Sequence, residues 1–185
     1  MSLSTTALHE LHEELGGRLV DFAGWELPVQ FAGIIAEHQH TRQSASLFDV
    51  SHMGQILIRP ESGNPADAAA ALETLIPASV AGLKEGRQRY GLFTDENGGI
   101  LDDLMFANHG DRYFLVVNAA RSDHDLGLLR TLERVTVEHI TDRSLLALQG
   151  PRAEEALAGL IPDAAGLRFM DSRVLDWGGV TVWVS

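Results

Sequence analysis

Two consecutive aspartates, Asp102 and Asp103, stand inside an otherwise apolar run, GILDDLMFAN over residues 99–108. Aspartate is disfavoured in strands, and a buried carboxylate without partners costs several kcal/mol or is driven to hold its proton. In an extended run, alternation puts Ile100, Asp102, Leu104 and Phe106 on one face. Leu101, Asp103 and Met105 then lie on the other, so each face carries one carboxylate among apolar neighbours. Such a carboxylate can stabilise developing positive charge or pass a proton, or it can cap the preceding turn. The pattern leaves both readings open, and it leaves open which aspartate matters. Asn118, ending YFLVVN, is a second polar group of this kind, either a ligand contact or a cap for a helix starting near Ser122. Tyr90 stands on the strand expected to pair with the aspartate strand, near Asp103 across a hairpin, although most strand tyrosines only pack.

Other chemistries find little support. Gly16-Gly17, Gly98-Gly99 and Gly178-Gly179 lack the spacing of a phosphate-cradling loop and read as turns. His9 and His12 share an acidic helix with no HExxH pattern and no third ligand, so they read as solvated positions, and no metal is expected. Ser51 and His52 lie beside Asp49, but no serine has a GxSxG elbow around it. The absence of cysteine excludes disulfides, thiolate metal sites, Fe–S clusters and a Cys nucleophile. With 14 Lys+Arg against 26 Asp+Glu, the net charge of −12 argues against nucleic acid or an anionic membrane as the main partner. No apolar run approaches the roughly 20 residues that cross a bilayer. The amphipathic, acidic first fifteen residues do not resemble a secretory signal, and a cytoplasmic protein is expected.

The elements that must position these residues follow from periodicity. A helix is expected over residues 1–15, where Leu8, Leu11 and Leu15 repeat at helical spacing, and an ordered loop over 18–33. A helix over 34–45 and a turn lead to a strand at Gln55–Arg59, then an alanine-rich helix over 65–76 with Pro65 in its first turn. Strands 89–94 and 100–106 flank a DENGG turn, and a strand at 113–118 precedes a helix over 121–133. Val135–Ile140 closes a β-α-β-β-β-α-β layer, so the fold class is α+β, with helices packed on mostly antiparallel sheets. A second, related β-α-β-β unit begins with strand 144–148 and helix 152–160 and continues with a hairpin at 172–177 and 180–184. The expected division is therefore 1–54, 55–142 and 143–185, the last unit incomplete and the chain a fragment of a longer protein.

Five segments, taken together, carry a family resemblance: FAGWELPVQF (22–31), HTRQSASLFDVSHMGQ (40–55), GLFTDENGGILDDL (91–104), YFLVVNAA (113–120) and LLALQGP (145–151). In this order they resemble the N-terminal half of the glycine cleavage system T protein, a tetrahydrofolate-dependent aminomethyltransferase. The resemblance selects Asp103, second of the GGxxDDL pair, as the functional carboxylate. It implies folate contacts from Tyr90 and Asn118, and a further contact from Met53 in the DVSHM stretch. It also implies tetrahydrofolate as co-substrate, a lipoyl carrier (H) protein as partner and a monomeric enzyme.

In such an enzyme the lipoyl carrier presents an aminomethyl group, tetrahydrofolate takes the methylene, and ammonia leaves. The pterin-clamping stretch and a C-terminal β-barrel of the family lie beyond Ser185. An acidic lipoyl carrier would then be expected to dock on a basic patch at Lys84, Arg87 and Arg89. The alternatives are a folate-dependent demethylase or a folate-binding protein of Fe–S maintenance. The latter carries a cysteine motif in a region outside this sequence.

Overall fold

The computed structural model describes residues 2–185, so Met1, at the start of the expected N-terminal helix, lies outside the described residues. The chain begins α1 (His9–Glu14), β1 (Leu19–Phe22), β2 (Trp25–Pro28), α2 (Ile34–Gln43) and β3 (Ser46–Asp49). It continues β4 (Gly54–Pro60), α3 (Pro65–Glu73), β5 (Arg87–Thr94), β6 (Ile100–Asn108), β7 (Tyr113–Val117), α4 (Ser122–Leu129) and β8 (Val135–Ile140). The last elements are β9 (Leu146–Gln149), α5 (Ala153–Leu160), β10 (Arg173–Trp177) and β11 (Val180–Val184). Residues 53–141 and 166–185 form one compact unit, and residues 2–52 and 142–165 form the other.

The first of these units is the expected layer. Its sheet has the order β5-β6-β7-β4-β8 with every pair antiparallel. β4 lies between β7 and β8, and all of it but Arg59 is buried. Its near-continuous apolar run therefore suits a strand covered on both faces. Asn64 caps α3 by accepting from the Ala66 amide, and Pro65 follows at the first helical position, where its missing N–H costs nothing. That cap aims Ala68, Ala69 and Leu72 at Ile56, Ile58, Phe106 and Leu115, which form the core with Leu126 and Leu129 of α4. Between β5 and β6, the Asp95 carboxylate accepts from the Asn97 and Gly99 amides at 2.8 Å each and closes the DENGG turn. The opposite face of the sheet is covered in part by the β10–β11 hairpin, whose Trp183 packs edge-on to Phe114 at 4.9 Å.

The other unit departs from the sequence expectation in three ways. Only His9–Glu14 of the first fifteen residues is helical, and the interior side chain is His12, whereas Leu11 and Leu15 are exposed. Residues 18–33, expected as a loop, hold the β1–β2 hairpin, whose turn residues Ala23 and Gly24 both have positive φ (53° and 84°). Glycine adopts that conformation freely, and it matches the twist of paired strands. Third, β9, α5 and the β10–β11 hairpin form where they were expected, but β9 pairs with β3 and the hairpin stands as its own two-stranded sheet, so they do not make one second β-α-β-β unit. Residues 143–185 are thus shared between the two units because β9 takes its backbone partners from the segment ahead of β4.

Asp49, at the end of β3, holds this unit together locally. Its Oδ2 accepts from Thr6 at 2.6 Å and faces His12 Nε2 at 2.9 Å, and its Oδ1 accepts from the Ser51 amide at 3.0 Å. Burial pushes the Asp49 carboxyl up, but the bonds from Ser51, Thr6 and His12 outweigh it and hold the group below the usual range. A depressed carboxyl contributes stability that is present above the ordinary aspartate pKa of about 4 and is lost as the pH falls through the lower folded value. Asp49→Ala should lower stability in urea unfolding by about 3 kcal/mol or more at pH 7. That deficit should shrink as the pH is taken below about 4.

Among the described residues no helix is long and apolar enough to cross a membrane. Where α4 meets the sheet, a Cβ on Gly54 would collide with the Ser122 hydroxyl and with Val117. A Cβ on Gly127, inside α4, would meet nothing. Gly54→Ala should therefore cost about 1–3 kcal/mol through overpacking, and Gly127→Ala should add about 0.5–1 kcal/mol through helix propensity. Parallel denaturant titrations of the two variants measure both.

Candidate active site

The aspartate pair is positioned by a bulge. Phe93 pairs with Asp102 and Thr94 with Ile100, which leaves Leu101 as the extra residue on β6. The bulge lets Leu101 pack on the core, contrary to simple alternation from Ile100. From Asp102 onward the alternation holds. Asp102 continues the buried line of Leu104 and Phe106 and is half-buried at its end. Asp103 is exposed and lies beside Leu92 of β5, on the face that also carries Met105.

Asn118 joins the two carboxylates. It follows Val117, the partner of Leu104, and so stands next to Asp103 at the end of β7. Its Nδ2 lies 3.1 Å from Asp102 Oδ1, 3.1 Å from the Asp103 carbonyl and 3.1 Å from Asp103 Oδ1. Carboxylate and carbonyl oxygens only accept, so three acceptors around one amide nitrogen fix which way the carboxamide faces. The helix-cap reading of Asn118 fails, since its side chain makes no cap bond to the turn it precedes.

Behind Asp102 sits a carboxyl not singled out from the sequence, that of Asp125 in the first turn of α4. Its side chain is fully buried (0 % exposed), with His124 Nδ1 at 3.0 Å from Oδ1 and the Asp102 carboxyl close enough to act on its charge. The Asp125 carboxyl is raised to about 6: burial pushes it up most, the bond from His124 pulls it down, and Asp102 pushes it up. Its position was readable in principle: Asp125 precedes Leu129 by four residues, so it shares the inward stripe of α4.

Tyr90 lies on the same face as Asp103, paired with Met105, which puts it one diagonal step away, about 7–8 Å between backbones. Tyr90 is 65 % exposed. Met53 is half-buried in the turn just before β4, and because Gly54 pairs with Val117 it stands at the same end of the sheet as Asn118. The structure thus bonds Asn118 to both aspartates, while Tyr90 and Met53 border that cluster. The expected basic patch is partly spent within the unit. Arg87 pairs with Asp171 and donates to the Phe169 carbonyl, and Arg89 donates to the Ser79 carbonyl. Among the described residues no group of three or more His, Cys, Asp or Glu side chains is arranged to hold a metal ion.

Residues 8–185 match the GCVT N-terminal domain, and the chain belongs to that family. Several relatives are named aminomethyltransferase. The mitochondrial aminomethyltransferase of Dictyostelium discoideum is 38 % identical over 191 residues, covering 96 % of this chain and 46 % of that protein. The aminomethyltransferase of Rubrobacter xylanophilus is 42 % identical over 181 residues, covering 94 % of this chain and 47 % of its own. Among solved structures, the glycine cleavage system aminomethyltransferase T of Bartonella henselae superposes with a TM-score of 0.85 at 37 % identity. That match covers 95 % of this chain and 48 % of the Bartonella chain. The chain spans about half the length of the relatives it matches.

A carboxylate at position 118 would place three like charges around one point. Asn118→Asp should therefore melt well below the parent at pH 8, where repulsion is greatest. Repulsion raises a carboxyl's folded pKa, so the unfavourable contribution develops as the pH rises through the carboxylate range. The gap in melting temperature between variant and parent should narrow towards pH 5, and a pH-independent gap would contradict the clustering.

Proposed function

We propose that this chain is the N-terminal part of a tetrahydrofolate-dependent aminomethyltransferase of the glycine cleavage system. The reaction moves the methylene of a lipoyl-bound aminomethyl group to tetrahydrofolate, releasing ammonia and the reduced lipoyl carrier. On this reading the enzyme works in the cytoplasm, with the lipoyl carrier and tetrahydrofolate as its partners. The observation that carries the proposal is the Asn118 carboxamide holding Asp103 on the exposed face of β6. The name shared by the relatives favours an aminomethyltransferase over the demethylase reading.

The residues fit such a co-substrate by chemistry. Tetrahydrofolate supplies two nitrogens that accept the one-carbon unit, one in its reduced pterin ring and one on the side chain beside that ring. Asp103 is an acceptor oriented from one side by Asn118, so it can hold a ring N–H and stabilise positive charge as it builds on the transferred carbon. The Tyr90 ring offers an aromatic surface one diagonal step away, and Met53 offers a polarizable thioether at the strand end. Asp102, turned to the core, holds Asn118 rather than the reactant.

In the full-length enzyme, Asp103→Asn should leave the fold intact and lower turnover by roughly 10²-fold or more, as loss of one preorganised electrostatic group does. Tetrahydrofolate at well above its dissociation constant should raise the parent's melting temperature through mass action. Turnover unchanged in the variant would reject Asp103 as the reacting carboxylate. An absent thermal shift in the parent would reject the folate site.

A further inference from the structure

Asp125 stands behind the cluster just described, and it is a costly residue to keep there. Its side chain is fully buried, and its Oδ2 has no hydrogen-bond donor among the described residues. Asp102 presents a buried Oδ2 in the same condition. Asp102 is close enough to push the Asp125 carboxyl up, and it uses its other oxygen, Oδ1, to accept from Asn118. Two carboxylates cannot donate to each other, so as a doubly charged pair both buried oxygens would be orphaned and mutually repelled. One proton between them removes both penalties at once. The resulting chain runs from His124 through Asp125, Asp102 and Asn118 to Asp103.

We propose that Asp125 is a positioning residue which, through a proton shared with Asp102, fixes the Asn118 carboxamide and thereby the orientation of Asp103. The link to catalysis rests on the function proposed above; the proton-shared pair itself does not. A charged Asp102 facing a neutral acid keeps one oxygen free for Asn118 and has no reason to swing away. When the proton leaves, repulsion within the pair loosens that hold.

Among the described residues, His124 is the group whose charge and hydrogen bond pull the Asp125 carboxyl down. On its own helix Asp125 meets His124, while Arg121, one turn earlier, is exposed. β6 supplies Asp102, and β5, β7 and β4 put Phe93, Val117 and Ile56 on the same face. On β8, His139 is exposed and separated from β6 by β7 and β4. The α3 carboxylates of Asp67 and Glu73 accept from Ser62 and the Ala81 amide. The upward shift of Asp125 to about 6, caused first by burial and then by Asp102, agrees with this geometry. The sign follows: a carboxyl raised in the folded state contributes stability at low pH that is lost as the pH rises towards that value.

The test uses the full-length protein with ¹³C-carboxyl aspartate and ¹⁵N-asparagine labels. The Asp125 carboxyl carbon should titrate well above the ordinary value of about 4, and the Asn118 side-chain amide signals should move with the same midpoint. Asp125→Asn, a neutral donor and acceptor of the same shape, should abolish that movement. The melting temperature of Asp125→Asn relative to the parent should rise from pH 5 to pH 7.5. The ratio of its turnover to the parent's should increase severalfold over the same range, while Asp125→Leu should lower turnover throughout. An Asp125 carboxyl titrating near 4, or Asn118 signals indifferent to its titration, would overturn the shared proton. The raised Asp125 titration with coupled Asn118 signals, in a protein without aminomethyltransferase activity, would instead sink the functional reading and leave the pair standing. Activity that is present but identical in Asp125→Leu and parent would reject the positioning role.

Discussion

The carboxamide of Asn118 has to reach oxygens that belong to opposite faces of β6. Consecutive strand residues diverge by construction, so Asp102 turns towards the core and Asp103 away from it. A side chain in the middle of a neighbouring strand would meet one of them. Asn118 meets both because it stands just past the end of β7, beside Asp103, where the side chain can bend over the edge of the sheet. That contact depends on the β6–β7 register, which would carry Asn118 to the wrong residue if it slipped by one position. Burial of Leu104, Phe106, Leu115 and Val117 on a single face holds the register.

The same contact explains the crowding behind it. Asp102 needs an oxygen for Asn118 and a tolerable setting for the other, and α4 provides that setting only by coming close. Ser122 at the start of α4 sits where a side chain on residue 54 would be, so glycine at that point lets the helix N-terminus approach β4 and β7. The approach brings Asp125 in the first turn of α4 to Asp102. A helix N-terminus favours negative charge in its first turn, which partly offsets the burial of a carboxyl there. The polar cluster is thus carried on two rigid elements rather than on loops.

Much of this arrangement is legible in the sequence. Alternation over 100–106, the DENGG turn and the apolar strand ending at Asn118 specify a hairpin with a third strand beside it, and the structure forms those elements. What escaped depends on contacts distant in sequence or on single-residue irregularities. The bulge at Leu101 reverses one side chain without any local turn residue to announce it. Leu11 and Leu15 point outward and His12 inward, because the partner of His12, Asp49, lies 37 residues away. Short β3 and β9 pair across a far wider gap in the sequence, so the β9 segment read as the start of a new unit. Asp125 escaped for a different reason: an acid in a helix's first turn has an ordinary explanation, and only the third dimension shows Asp102 facing it.

A pair of adjacent aspartates on one strand divides two demands that a single carboxylate meets poorly. A group that reacts with a ligand must be accessible, and accessibility brings water and conformational freedom. A group that fixes geometry must be buried and bonded, and burial removes it from the ligand. The pleat separates the two roles by one residue: Asp103 is exposed, and Asp102 is anchored between Asn118 and Asp125. Because the same amide nitrogen touches both, freedom lost by Asp102 is passed to Asp103 as orientation. On the proposed function, Asp103 would therefore meet the reacting carbon with its direction already set, which is the condition under which one charge lowers a barrier most.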